Sequence, residues 1–359
     1  MPGSPLPPTV ASGWSPRPAA WPERPPSAYA GRAGRPLLIG GCPRSGTTLL
    51  QVMLDMHPEI GVPRETNFIR ELWWQRVRFG DLAEPGNRRR MAEWIFGDDR
   101  HLTRRLIHRR IGRRRAIAEV ADAPPTIGSV VERCIRLHAH DTPRWGDKRP
   151  AYSGFIGPLF AMFPDAQYVN VVRDPRGVAG SQVAMDWDPP DIAVASAAVR
   201  WEFAVVRTDH YARRLRPDQL LDVRYEDLVS DPGPQLSRIL EFAGLAADAE
   251  LVERLAHGER QGWFVGPHEQ AGRPVTTASV ERWRERLTPE QIAFVEQATA
   301  PLMDRFGYVP TDEAQPVAAD LVAHARRRRE FRRRWRQTRR DEWIRRLRYR
   351  KPVVAAGHE

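Results

Sequence analysis

One stretch early in the chain constrains the fold more than any other. Pro36-Leu37-Leu38-Ile39-Gly40-Gly41 is a short apolar run that reads as a buried strand breaking into a glycine turn. Leu49, Leu50, Met53 and Leu54 then share one face at helical spacing, so a helix is predicted over 46–57, with Pro58 just past its end. Between strand and helix lies Gly41-Cys42-Pro43-Arg44-Ser45-Gly46-Thr47-Thr48. A glycine-bearing loop in that position lets backbone N–H groups approach an anion, with the helix N-terminus aimed at it. The same residues also fit a plain Gly-Ser turn that caps a helix.

Strands and helices alternate from there on. Residues 167–172 and 220–225 read as two further strands, and helices are expected over 68–79, 88–121, 126–140, from 175, and over 191–215, 232–243, 248–256 and 288–306. This alternation predicts an α/β fold with a central parallel sheet covered on both faces. A folded body is expected over 35–310. The segment 1–34 before it, with nine prolines, reads as a disordered arm.

The charge is unevenly placed. The chain carries a formal net charge of +11, but the stretch Arg326–Lys351 alone holds fifteen Lys and Arg against three Asp and Glu. The remainder has 41 basic and 42 acidic residues, so the body is near neutral and a nucleic-acid-binding core is not expected. In the basic extension 311–359, Phe331, Trp335, Trp343 and Leu347 recur every four or eight residues among arginines. An amphipathic helix of Trp and Arg suits an anionic membrane surface; contact with nucleic acid and a tail packed on the body are the other readings. No run of 18 apolar residues and no secretory leader is visible. With Cys42 and Cys134 as the only cysteines, a reducing, cytoplasmic setting is expected, with peripheral contact at the inner membrane face if the tail binds lipid.

The loop has the Gly-x4-Gly spacing of a Walker A motif, but Thr47 stands where that motif has lysine. Positive charge must come from Arg44, while Ser45, Thr47 and Thr48 add hydroxyl donors and Gly46 admits the close approach. Lysine is nearly absent: the chain has only Lys148 and Lys351 against 54 arginines. A lysine can neutralise developing charge or give up a proton, whereas arginine effectively never does. Lys148 is therefore a candidate for chemistry on composition alone. His/Cys spacing for a metal site is absent, and no nucleophile motif of the Gly-x-Ser-x-Gly kind occurs.

Pro43-Arg44-Ser45-Gly46-Thr47-Thr48 after a strand resembles the 5′-phosphosulfate loop of the sulfotransferases, which use 3′-phosphoadenosine 5′-phosphosulfate as sulfuryl donor. The stretch from Gly40 through Leu54, Asp55, His57, Pro58 and Glu59 to Glu65-Thr66 resembles the tyrosylprotein sulfotransferase branch. The resemblance covers most of 36–310 and implies a P-loop-like three-layer α/β/α sandwich. It implies that Arg173 and Ser181, in Val172-Arg173-Asp174-Pro175-Arg176 and eight residues after Arg173, hold the donor's 3′-phosphate. Arginine suits that task through planar bidentate contact; a helix-start Arg-Asp ion pair is the alternative. Tyr225, in Val223-Arg224-Tyr225-Glu226-Asp227-Leu228, is implied beside the donor nucleotide, or else is a core aromatic. Arg273, with Pro274-Val275, and Arg282, before Trp283, match basic positions of the donor-binding loop, and 262–274 suits a lid.

The resemblance further implies Glu65 as general base, 21 residues after Arg44, and Lys148, in Trp145-Gly146-Asp147-Lys148-Arg149-Pro150, as the leaving-group cation shared with Arg44. Some relatives use a histidine base; His57 and His101 lack a supporting motif. Asn67 and Glu71 replace basic residues found near the acidic peptide acceptor of the tyrosylprotein branch, and Met185 replaces another donor contact. These departures point to a small-molecule, lipid or sugar hydroxyl as acceptor. A kinase-like nucleotide-dependent phosphotransferase is the second enzymatic reading, and a membrane- or nucleic-acid-binding protein without catalysis is the third.

Overall fold

A computed structural model describes residues 35–63, 65–97, 111–137, 142–257, 275–311 and 317–330. The Pro-rich arm, His101, Arg273 with the expected lid, and the apolar stripe of the tail lie outside the described residues.

Five parallel strands form one sheet in the order β2-β3-β1-β4-β5. They are β1 (Leu37–Gly41), β2 (Ile60–Gly61), β3 (Arg144–Lys148), β4 (Gln167–Val172) and β5 (Leu220–Arg224). β1 is central because it is apolar on both faces. Leu38 joins the core on one side, with the helices Pro85–Phe96, Arg113–Ala121, Ile127–Arg136 and Ile156–Met162. Leu37 and Ile39 join the core on the other, with Thr47–Asp55, Tyr225–Ser230, Pro232–Ala243 and Ala249–His257. Alternate strand residues point to opposite faces, so one short run seeds both cores of a three-layer α/β/α sandwich.

A third apolar cluster ties Pro175–Val183, Pro190–Ala212 and Pro289–Met303 together. Residues 319–330 are helical and dock on this cluster through Leu321 and Ala325. Arg328 Nε donates to Ser196 Oγ at 3.0 Å, and Arg329 pairs with Glu202 at 2.7 Å. The first turns of the basic extension are thus part of the packed body.

Two sequence expectations change. Within the Arg-rich span 88–121, the described residues show the helix Pro85–Phe96 at one end and Arg113–Ala121 at the other, with Gly112 at φ 79° opening the latter. Glycine adopts that conformation without the Cβ penalty other residues meet. Secondly, β2 and β3 join the three expected strands. β3 carries Arg, Asp and Lys, which hide it from a hydrophobic-pattern reading.

Candidate active site

β1, β3, β4 and β5 all deliver their carboxyl ends to one edge, where open parallel sheets bind ligands. β1 runs into the loop 41–48. Gly41 is at φ 149°, and a Cβ there would fall 2.2 Å from the Val171 carbonyl oxygen of β4. Gly46, at φ 91°, starts the helix Thr47–Asp55 with no side-chain cap, so the first-turn amides face the loop's concavity. Arg44 is held at φ 76°, an uncommon conformation for a residue with a side chain.

The expected phosphate residues converge. Arg44 Nε donates to Ser181 Oγ at 3.1 Å, linking the loop to the helix Pro175–Val183. Arg173 Nη1 donates to the Arg44 carbonyl at 3.1 Å and Nη2 to the Ser279 carbonyl at 2.7 Å. Its guanidinium lies 4.5 Å from the Tyr225 ring centroid. Tyr225 in turn sits on the loop, since a Cβ at Gly46 would come within 2.3 Å of its ring, and its hydroxyl shares a 2.5 Å hydrogen bond with Ser279 Oγ. Where the loop meets Arg173, two buried donors, Ser45 Oγ and Arg173 Nε, have no partner among the described residues. Buried donors of this kind are costly unless a ligand satisfies them. Burial, and then the charges of Arg173 and Arg286, pull the Arg44 guanidinium below its ordinary value. Clustered cations and unpartnered buried donors of this kind suit an anion.

Arg173 owes its place to buried supports. Trp201 Nε1 donates to the Arg173 carbonyl at 2.7 Å. Arg176 is clamped by Asp174 and Glu296, both at 2.6 Å, and stacks 4.3 Å from the Trp283 ring. The Arg-Asp pair weighed against phosphate binding therefore exists, but it is Arg176 that closes it, leaving Arg173 for the site.

A second group lies at the end of β3. Lys148, 2% exposed, donates from Nζ to Glu65 Oε1 at 2.9 Å and to Thr48 Oγ1 at 3.0 Å. Glu65 is 29% exposed, so the pair has a buried cation and an accessible carboxylate. Beside it Asp147 is fully buried and accepts a hydrogen bond from the Tyr152 hydroxyl. Burial pushes the Asp147 carboxyl up to about 6 against the opposing pull of Tyr152.

The remaining expectations divide. Thr47 is buried in the first turn of its helix. His57 is structural: its Nε2 bonds the Ala246 carbonyl at 3.0 Å while Nδ1 accepts from the Glu59 amide. Arg282 is half-buried just before the helix Trp283–Arg286, and its charge bears on Arg286. Ser279, Arg286 and the Asp147–Tyr152 pair were not legible in the sequence. The one available signal was the spacing of Arg286, a helical turn beyond Arg282. Among the described residues no group of three or more His, Cys, Asp or Glu is arranged to hold a metal, and no helix is long and apolar enough to cross a membrane.

Known proteins place this geometry in context. Residues 36–249 match the model described as the sulfotransferase family. Protein-tyrosine sulfotransferase A of Caenorhabditis elegans is 25% identical over 288 residues, covering 76% of this chain and 67% of that one. The omega-hydroxy-beta-dihydromenaquinone-9 sulfotransferase Stf3 of Mycobacterium bovis is 28% identical over 187 residues, 48% of this chain and 43% of that one. Among solved structures, the sulfotransferase domain from the Synechococcus PCC 7002 olefin synthase superposes with a TM-score of 0.54 at 24% identity, covering 77% of this chain and 95% of that domain. That likeness bears out the α/β fold.

Proposed function

The chain belongs to the sulfotransferase family, and from that premise we propose that it moves a sulfuryl group from 3′-phosphoadenosine 5′-phosphosulfate to a hydroxyl of a small-molecule, lipid or sugar acceptor. The observation that carries this reading is the position of Lys148 Nζ, 2.9 Å from Glu65 and 3.0 Å from Thr48 of the phosphate loop. A proton acceptor and a leaving-group cation are thereby joined at the mouth of an anion cradle.

The acceptor oxygen attacks sulfur as its proton passes to Glu65, the general base. The bond from sulfur to the 5′-phosphate oxygen breaks, and its electron pair remains on that oxygen. Lys148 and Arg44 meet the charge developing there, and Lys148 can return a proton to it. The products are a sulfate ester and 3′,5′-adenosine bisphosphate. Ser45, Gly46, Thr47 and Thr48 hold the 5′-phosphosulfate end. Arg173 and Ser181 hold the 3′-phosphate, Tyr225 flanks the nucleotide, and the family resemblance assigns Arg273 and Arg282 to donor binding as well. Two features support a neutral acceptor over an acidic peptide. Glu71 is exposed on the helix Ile69–Gln75. Asn67, where the tyrosylprotein branch has a basic side chain, carries a neutral amide that donates from Nδ2 to the Glu65 carbonyl at 3.3 Å.

Titration calorimetry with 3′,5′-adenosine bisphosphate against ATP tests the donor. Tighter binding of the bisphosphate is expected, and preference for ATP would favour the phosphotransferase reading instead. Glu65→Gln should cut turnover by ~10²–10⁴-fold with nucleotide affinity nearly unchanged; turnover retained in full would sink the base assignment. The exposed arginines Arg326 and Arg327 on the docked helix 319–330 support contact of the basic extension with an anionic membrane surface. Truncation after residue 330 keeps that helix and should abolish co-sedimentation with phosphatidylglycerol vesicles; retained co-sedimentation would refute it.

A further inference from the structure

The turn that carries Glu65 meets β3 on both faces of the sheet. Successive strand residues point to opposite faces, so Lys148 and Asp147 leave β3 on different sides. On one side Lys148 Nζ reaches Glu65 Oε1 at 2.9 Å. On the other, Asp147 lies opposite Leu38 in register, and Leu38 and Tyr152 belong to the same core. Thr66, 1% exposed, follows Glu65 directly. The turn itself is tight. The Phe68 amide donates to the Thr66 carbonyl at 2.8 Å, and Asn67, at φ 60°, donates from Nδ2 to the Glu65 carbonyl. Arg149, one residue past the strand, donates from Nη1 to the Asn67 carbonyl at 3.0 Å. A small movement of Thr66 therefore moves Glu65.

Asp147 and Thr66 each keep one buried atom in reserve. The Tyr152 hydroxyl donates to Asp147 Oδ2, but Asp147 Oδ1 has no hydrogen-bond partner, and neither has Thr66 Oγ1. The Thr66 hydroxyl is near enough to draw the Asp147 carboxyl down, yet the bond between the two is not closed. Whether it closes depends on charge. An ionised carboxylate only accepts, and hydrogen bonds to it are shorter and stronger than neutral ones. An ionised Asp147 therefore gains from drawing Thr66 in, and a protonated one gains far less. Burial is the foremost influence on this carboxyl and, with the Glu65 charge, raises it; Tyr152, Thr66 and Lys148 lower it, and Arg149 bears on Tyr152. The balance places its ionisation at about 6.

We propose that Asp147 is a positioning residue for the general base: ionised, it takes the Thr66 hydroxyl and seats the turn that presents Glu65, and protonated, it lets that turn relax, so that acid slows turnover. This rests on Glu65 acting as base, as proposed above, and adds the group that places it. Fully buried, Asp147 acts only through the turn.

The test is the pH profile of turnover at saturating donor on the full chain, with phenol as the hydroxyl acceptor. At pH 7.5 wild type should exceed both Asp147→Asn and Thr66→Val by about tenfold, since loss of alignment in a catalytic group costs rate. At pH 5 the ratio should fall to within about twofold of unity, because the wild-type carboxyl is then protonated as well. Titration of Glu65 itself is common to all three proteins and cancels in the ratio. Affinity for 3′,5′-adenosine bisphosphate should be unchanged. A ratio that stays constant across pH marks a merely structural role and overturns the proposal. If Asp147→Asn does not fold, Thr66→Val, which keeps the shape and loses only the hydroxyl, decides alone. Crystals grown at the two pH values give a readout without turnover. Thr66 Oγ1 should lie within about 3 Å of Asp147 Oδ1 at pH 7.5 and farther away at pH 5; one distance at both overturns the proposal. Full turnover in Glu65→Gln instead withdraws the base reading, and this inference with it.

Discussion

β1 and β3 lie side by side in register, Ile39 opposite Lys148, and each is five residues long with every residue buried. β1 is Leu-Leu-Ile-Gly-Gly; β3 is Arg-Trp-Gly-Asp-Lys. The first contributes to folding by removing apolar surface from water. The second buries three ionisable side chains, and each needs its own answer. Lys148 has Glu65 and Thr48, and Asp147 has Tyr152. Arg144 reaches Gln167 through one nitrogen but leaves Nε and Nη1 unpartnered, and burial followed by the charge of Arg35 pulls its guanidinium down to about 10. Neighbouring strands of equal burial thus divide the labour: β1 fixes where the sheet is, and β3 tolerates buried charge so that an amine arrives beside the phosphate loop.

Substitution can break that division. The largest effect is expected at Lys148→Ala, which removes the proposed leaving-group cation and should lower turnover by ~10²–10³-fold in a sulfate-ester assay, as loss of one electrostatic stabiliser typically does. Lys148→Arg, which keeps charge but cannot give up a proton, should recover only part of it. Leu38→Ala, the mirror experiment in β1, should cost about 3 kcal/mol of stability in urea unfolding and leave turnover per folded molecule near wild type. If Leu38→Ala proved the more damaging to chemistry, the proposed contrast would collapse.

The subtlest effect concerns Asp147. Its carboxyl is held up at about 6 in the fold against an ordinary 3.8. A raised carboxyl favours the folded state at low pH, and that contribution is lost as pH rises from about 4 through about 6. Asp147→Asn does not titrate. Relative to this variant, wild type should lose on the order of 3 kcal/mol between pH 4 and pH 7, read from unfolding curves of the two proteins across that range. A constant difference across pH would show that Asp147 does not carry the effect.

The same contrast explains what was legible in the sequence. β1 and its loop were readable because the apolar run, glycines and helix face follow local rules. Lys148 stood out through the scarcity of lysine, yet the strand beneath it did not, because Arg144, Asp147 and Lys148 break the hydrophobic pattern that marks a buried strand. Arg173 was readable from its place after β4, whereas Ser279 reaches Tyr225, and Arg286 reaches Gly180, only through tertiary packing. The division at Gly112 was missed because arginine-rich sequence favours helix on either side.

The seclusion of Lys148 has a practical corollary for protein chemistry. Acylating and reductively alkylating reagents seek primary amines, and the only other lysine is Lys351 in the basic stretch. Because the Lys148 amine is buried and doubly engaged, mild conjugation should fall on Lys351 or the chain terminus. Tags and surfaces can be attached there through ordinary amine coupling while the reactive centre stays untouched.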